Sequence, residues 1–369
     1  MNSLKKTIKY IEIYGIPRTL FKIFGRKRLP FIKIPSIGRK DVAIIGCGQF
    51  GFSTIGYFIS MNKDHSFVRA YDVDDRAKES FEYFYSTKKT KNIDEIFNDN
   101  DVKYVYIASS HSSHAEYAIK CIEKNKIVYI EKPISVNFKQ ISLLSKSLKN
   151  SSISIYAGYN RPYSKAITIL RSYFQNVDSP ITLSCFVSGH SISPDHWYRL
   201  PSEGTRICGN LGHWLDLAIH ILMWGELPDL WDVNVIWSNK SSPDDDLTIV
   251  MVSERGDLIN ITLTSRSEPF EGINETINFQ CGDLIAKIDD FRKMDVWNRS
   301  IFKRYNFWPK DVGHKRAINQ PFDSSVRSWS EVEMSTLLML TIAEMVREKI
   351  NFKRINLSDL YSQIETLGD

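Results

Sequence analysis

The chain has 369 residues, 43% of them apolar and 25% charged, with a formal net charge of +5, a composition that excludes a disordered or fibrous chain and leaves room for two domains. Five scattered cysteines (Cys47, Cys121, Cys185, Cys208, Cys281) with no CxxC pair exclude a thiolate zinc site and fit a reducing, cytoplasmic setting. No apolar run reaches the ~18 residues of a membrane span, and Met1–Gly15 lacks the apolar stretch of a secretory signal.

Residues 1–40 form a basic arm. Eleven Lys or Arg face a single acid, Glu12, so the arm carries +10 and the rest of the chain −5. Leu4, Ile8 and Ile11 recur at i, i+4 and i+7, which predicts a short amphipathic helix with lysines beside its apolar stripe. Three readings of the arm stay open: packing on its own body or a partner subunit, peripheral contact with the anionic inner membrane surface, or organelle targeting. Nucleic acid is not an expected partner, because the body is acidic and shows no groove-reading motif.

From residue 41 strand-like and helix-like segments alternate, which predicts an α/β Rossmann domain with a doubly wound parallel sheet over 41–160. Strands are expected at 41–46, 67–72, 104–108, 127–130 and 153–158, with helices at 49–61, 74–85, 112–125 and 138–149. Gly158–Pro162 breaks this rhythm. A second α/β domain is expected over 161–369, built on a large, mostly antiparallel open sheet. Its helices fall at 164–176 and 207–224, its strands at 230–238, 246–253, 257–264, 273–280 and 283–289. A final helix at 330–349 returns to the body, and Asp244-Asp245-Asp246 reads as a solvated turn. One sheet face is expected to build a homo-oligomer, a dimer or tetramer.

Gly46-Cys47-Gly48-Gln49-Phe50-Gly51 follows the first strand and opens the first helix, the order that sets a dinucleotide pyrophosphate on a helix N-terminus. Gly46 allows the tight turn, Gly48 the approach of backbone to phosphate, and Gly51 the close packing of helix on strand; Gln49 and Phe50 line the same turn. Asp72 ends the second strand, 21 residues past Gly51, where a carboxylate holds the adenosine ribose hydroxyls and repels a 2′-phosphate. NAD is therefore the expected cofactor, and nearby Arg76 keeps NADP open as the alternative.

Ligands sit beyond the carboxyl ends of strands in such sheets. This sets Ser109, His111 and His114, after the third strand, and Glu131, after the fourth, toward the cofactor. Lys132, fixed by Pro133, is placed to orient a substrate hydroxyl and stabilise the alkoxide that forms as hydride leaves. On helix 207–224, His213, Asp216 and His220 share a face, and Asp216 is placed to set the His213 tautomer. His213 and His220 lie roughly 10 Å apart along the axis, too far to share an ion, so no metal is expected. His196 and Trp197 offer polar and aromatic contacts to a sugar, and Arg161 a cation for a substrate phosphate or carboxylate.

Together GCGQFG, Asp72, EKP at 131–133 and AGYNRPYSKA at 157–166 resemble the glucose–fructose oxidoreductase/inositol dehydrogenase/MocA family over residues 41–350. SHSSHA at 110–115, PDHWYRLPSEGTRICGNLGHWLDL at 194–217 and ETINFQCGDLIAKIDDF at 275–291 resemble the branch linked to bacterial surface-polysaccharide synthesis. The resemblance implies an NAD(P)-dependent oxidoreductase acting on a secondary alcohol or ketone of a sugar or sugar nucleotide. It assigns the catalytic lysine to Lys132 and the acid/base histidine to His213. The family's usual aspartate, four residues before that histidine, is Gly209 here. Asn210 sits one step later, able to orient a hydroxyl but not to exchange a proton, which leaves proton transfer to His213 and Lys132. Two other outcomes stay open: a redox-neutral epimerase or eliminase using NAD, and a non-catalytic NAD- or sugar-binding sensor or scaffold.

Overall fold

The computed structural model describes residues 3–29, 31–175, 179–267, 272–323 and 327–367. The arm folds as two helices, α1 (Ser3–Tyr14) and α2 (Ile16–Lys27), the second started by Pro17, which fits the first turn because no intrahelical N–H is needed there. The first sheet then forms from β1 (Arg39–Ile45), β2 (His65–Tyr71), β3 (Tyr104–Ile107), β4 (Ile127–Ile130) and β5 (Ile155–Ala157). Between these strands run α3 (Gly56–Ser60), α4 (Asp75–Tyr85), α5 (Asp94–Asn98), α6 (His114–Glu123) and α7 (Phe138–Lys149). All pairs are parallel in the order β2-β1-β3-β4-β5, so the crossover direction reverses between β1 and β3 and opens a crevice there. Val42 to Ile45 are buried, as expected for a strand covered on both faces. The expected helix at 49–61 is two pieces, a wide π-type turn at Gly51–Ile55 followed by α3.

The second half contributes α8 (Lys165–Tyr173), β6 (Ile181–Ser188), α9 (Gly212–Leu222), β7 (Leu230–Trp237), β8 (Leu247–Ser253) and β9 (Leu258–Thr264). There follow β10 (Asn274–Cys281), β11 (Leu284–Asp289), β12 (Lys293–Asn298), β13 (Ile301–Asn306), α10 (His314–Asn319), α11 (Trp329–Glu348), β14 (Phe352–Asn356) and α12 (Leu357–Leu367). Nine strands form one sheet, β13-β12-β11-β10-β6-β9-β8-β7-β14, antiparallel throughout except for the β6–β9 pair. Its centre, β6, was not among the expected strands, although Ile181, Leu183, Cys185 and Val187 alternate inward. The chain also does not end on α11: β14 pairs with β7, and α12 docks on α7 through Ser142 Oγ donating to the Ile364 carbonyl at 2.5 Å.

The arm packs on its own chain. Arg18 donates to the Ser53 carbonyl and Thr54 Oγ1, both at 3.0 Å, from a site between the Tyr57 and Phe58 rings. Phe21 and Phe24 extend the aromatic core of Phe52, Phe81, Phe84 and Tyr85 between the first strands and their helices. The α1 end meets the second half, where Lys310 N–H and Trp308 Nε1 donate to the Ile13 and Glu12 carbonyls at 2.8 and 2.7 Å. Among the described residues no helix is long and apolar enough to cross a membrane.

Candidate active site

The glycine turn lies in the crevice between β1 and β3. Gly46 has φ +103°, and a Cβ there would fall 2.3 Å from the Ala108 carbonyl, so only glycine fits. At Gly51 a Cβ would fall 2.2 Å from the Gly46 oxygen, which locks the helix start against the turn. A Cβ at Gly48 would meet nothing within 4 Å: this is the open side of the turn. The Asp72 carboxylate is fixed beside it, accepting from Cys47 N–H at 2.6 Å and Asp74 N–H at 2.9 Å. Gln49 reaches sideways to the Lys22 carbonyl at 3.3 Å and Ser53 Oγ at 3.2 Å, and Phe50 faces the His314 ring at 5.8 Å. An open glycine turn with a carboxylate one strand away fits a dinucleotide.

At the end of β4, Lys132 Nζ donates to the Gly209 carbonyl at 2.8 Å. Gly209 belongs to a second wide turn, Ile207–Leu211, which leads into α9, and His213 follows one helical turn later. One backbone carbonyl thus brings Lys132 and the His213 face together. Burial, with the charges of Arg161 and Lys132 adding to it, pushes the His213 pKa well below 6.5, so the imidazole is neutral at pH 7. Its Nδ1 is buried and finds no hydrogen-bond partner among the described residues. A neutral imidazole one helical turn from the Lys132–Gly209 contact can take a proton from a hydroxyl that the ammonium holds.

The neighbouring groups are more occupied. Glu131 is 6% exposed and turned inward, accepting from Tyr129 Oη at 3.0 Å and Lys132 N–H at 3.1 Å, and burial lifts its pKa to about 7. His114 is buried between the Pro133 carbonyl at 2.8 Å and the Ser109 carbonyl at 3.1 Å, and burial lowers its pKa. His111 Nδ1 lies 3.0 Å from the Glu203 carbonyl, and burial followed by the Lys132 charge drops its pKa to about 2. Ser109 Oγ bonds Ser113 Oγ at 2.7 Å. Each of these residues stands at the carboxyl edge of the sheet, but His114 and Glu131 are spent on fold contacts.

The model of an oxidoreductase family with an NAD-binding Rossmann fold matches residues 40–159. Residues 40–159 thus carry the NAD-binding domain of the Gfo/Idh/MocA family. The chain is 26% identical over 187 residues to glucose-6-phosphate 3-dehydrogenase of Bacillus subtilis, covering 50% of this chain and 52% of that one. It is also 26% identical over 182 residues to myo-inositol 2-dehydrogenase of Thermotoga maritima, covering 48% and 52%. The chain therefore spans about half the length of the curated relatives it matches. Among solved structures, levoglucosan dehydrogenase in complex with NADH and L-sorbose aligns at TM-score 0.73 and 14% identity, over 86% of this chain and 99% of that one. GenD2 from gentamicin A biosynthesis, in complex with NAD, aligns at TM-score 0.72 and 14% identity, over 89% and 99%. These likenesses extend the shared fold across both sheets.

The departure at Gly209 from the usual aspartate has a steric cause. A Cβ there would fall 2.8 Å from Tyr198 and 3.1 Å from His111, so those two rings fill the room a longer side chain needs. Tyr198 belongs to a strap, residues 189–206, which lays His196, Trp197 and Tyr198 over this corner; Trp197 and Tyr198 pack on His111 at 4.6 and 4.7 Å, and Lys132 Nζ sits 5.9 Å from the Tyr198 ring centre. His196 Nδ1 accepts from Tyr198 N–H, and Trp197 is 41% exposed. The strap is clamped by Glu203, whose carboxylate takes Ser112 Oγ at 2.7 Å, and by Asp245, which takes Arg206 at 2.9 Å and Arg199 at 3.1 Å. The acidic triplet is thus a clamp rather than a solvated turn.

Two expectations place charges differently from the structure. Arg161 does not face a ligand: it is 4% exposed, stacked over Trp214 and bound by both Glu275 oxygens at 2.7 and 3.0 Å. Asp216 does not meet His213; it accepts from Arg327 at 2.9 and 3.0 Å and from Ser335 Oγ at 2.9 Å. The i, i+3 spacing set Asp216 on the right helix side, but Arg327, just before α11, and Ser335 within it supply stronger partners from far along the chain. Asn210 remains half-buried in the wide turn. The run Asp195–Arg199, read as suited to a sugar, contains Tyr198; Glu203 and His314 were missed, and nothing local marks His314.

Proposed function

We propose that this protein is an NAD-dependent dehydrogenase or reductase acting on a secondary alcohol or ketone of a sugar, polyol or sugar nucleotide. The observation that carries the reading is the Lys132–Gly209 contact, which sets an ammonium one helical turn from a neutral histidine at the mouth of the glycine-turn crevice. Bound NAD would supply the hydride acceptor or donor. Lys132 holds the substrate oxygen and favours the developing alkoxide. His213 takes the hydroxyl proton in oxidation and returns it in reduction. The strap shields the pair from water with Trp197 and Tyr198, whose ring faces suit a sugar. Asp72 binds the ribose diol, and Ser109 and His111 border the nicotinamide end. A place in surface-polysaccharide synthesis is consistent with this chemistry and rests on the sequence resemblance alone.

The test offers the full chain NAD with a panel of polyols, sugars and sugar nucleotides, and follows the absorbance of reduced nicotinamide. Reduction with at least one member of the panel is expected, and its absence from the reverse reaction as well as the forward one would remove the reading.

A further inference from the structure

The basic arm does more than cover the first Rossmann helix. Its last helical residues carry the chain along Gln49, Phe52 and Ser53, with Gly25 so close that a Cβ would lie 3.0 Å from Ser53 Cβ. Arg28 follows in the left-handed region at φ 49°, capping α2 through its N–H to the Phe24 carbonyl. That turn aims the guanidinium at the glycine loop. Nη2 donates to the Cys47 carbonyl at 2.6 Å, Nη1 donates to Ser80 Oγ at 3.0 Å, and the plane lies 4.4 Å from the Phe52 ring centre. The same Cys47 residue donates its N–H to Asp72 at 2.6 Å. One residue's backbone therefore links a cation from the arm to the carboxylate at the ribose end.

We infer that Arg28 is a specificity-determining residue of the dinucleotide site: it faces the 2′ position of the adenosine ribose opposite Asp72 and lets the site accept a 2′-phosphate. Asp72 alone repels a phosphate there. A guanidinium carries five donors in a planar fork, and the contacts to Cys47 and Ser80 use two of them, so a phosphate can be taken without breaking the arm's docking. Because Arg28 arrives on the arm, NADP tolerance depends on a segment outside the Rossmann domain.

The inference rests on the dinucleotide reading of the glycine turn, and binding of two nucleotide fragments separates the two. Calorimetry of the full chain with 5′-AMP and with 2′,5′-ADP reports the adenosine subsite without any turnover. Arg28→Gln is expected to weaken 2′,5′-ADP at least about tenfold, the scale of one charge-assisted contact, while 5′-AMP changes less than about twofold. Exposed Lys27→Gln, one residue away, leaves both unchanged, and retained 5′-AMP binding certifies that Arg28→Gln is folded. Equal losses for the two fragments, no loss, or a parent chain that binds 5′-AMP but not 2′,5′-ADP would overturn the role of Arg28. A parent chain that binds neither fragment would overturn the dinucleotide reading itself.

Discussion

At the scale of single residues, the site sets a tethered lysine near a histidine that is denied its charge. Lys132 is held by the Gly209 carbonyl, and desolvation with the charges of Arg161 and Lys132 keeps His213 neutral. Glu131, next in sequence to Lys132, is pushed the other way, to about 7, because burial outweighs the attraction of its neighbour. The folded state therefore holds a proton on Glu131 that the unfolded chain releases above pH 4.5, and this contribution is lost as pH rises toward 7. Glu131→Gln abolishes that loss. Chemical denaturation of both proteins across this range should show the variant gaining about 3 kcal/mol relative to the parent, and parallel curves would contradict the account. Lys132, Asp72 and the glycines were legible because strand ends and turns are local patterns. The partners of Arg161 and Asp216 were not, since Glu275 and Arg327 are each over 100 residues away in sequence.

At the scale of elements, two wide helical turns carry parts of the site, Gly51–Ile55 after the glycine loop and Ile207–Leu211 before α9. The second is the more constrained, because Gly209 must accept the Tyr198 ring and present its carbonyl to Lys132 at once. Gly209→Ala is expected to cost about 1–3 kcal/mol by overpacking and to loosen the strap. Pairing it with Tyr198→Ala should cost clearly less than the two single changes added together, and strict additivity would show that the ring does not claim that space. The amphipathic pattern of the arm predicted α1 but not its seat, since Arg18, Phe21 and Phe24 become informative only once the aromatic core they join exists. Likewise β6 alternates cleanly, yet its place at the middle of the second sheet is a long-range property.

At the scale of the whole molecule, α8, α9 and α11 cover one face of the nine-stranded sheet, while the other is open. Phe186, Ile236 and Val252 stand on that open face at 52%, 61% and 39% exposure among threonine, serine and asparagine side chains. We propose that it joins two copies of the chain, as the alternation of its strands already suggested from sequence. Ile236→Glu should shift sedimentation toward a monomer, and an unchanged sedimentation coefficient would place any association elsewhere. The two-sheet architecture was readable from the switch in hydrophobic period near residue 160, because burial on two faces and on one leave different patterns. The strap, the arm's docking and the C-terminal pair β14 and α12 were not, since each is fixed by partners far away in sequence.

The measurement that bears most directly on the central claim compares the parent chain with Lys132→Ala, using NAD affinity by calorimetry and turnover on whichever sugar the parent oxidises. The account predicts NAD affinity within about threefold of the parent and turnover lower by about 10²–10³, the scale of losing one charge-stabilising group. Turnover retained at the parent's level would contradict it.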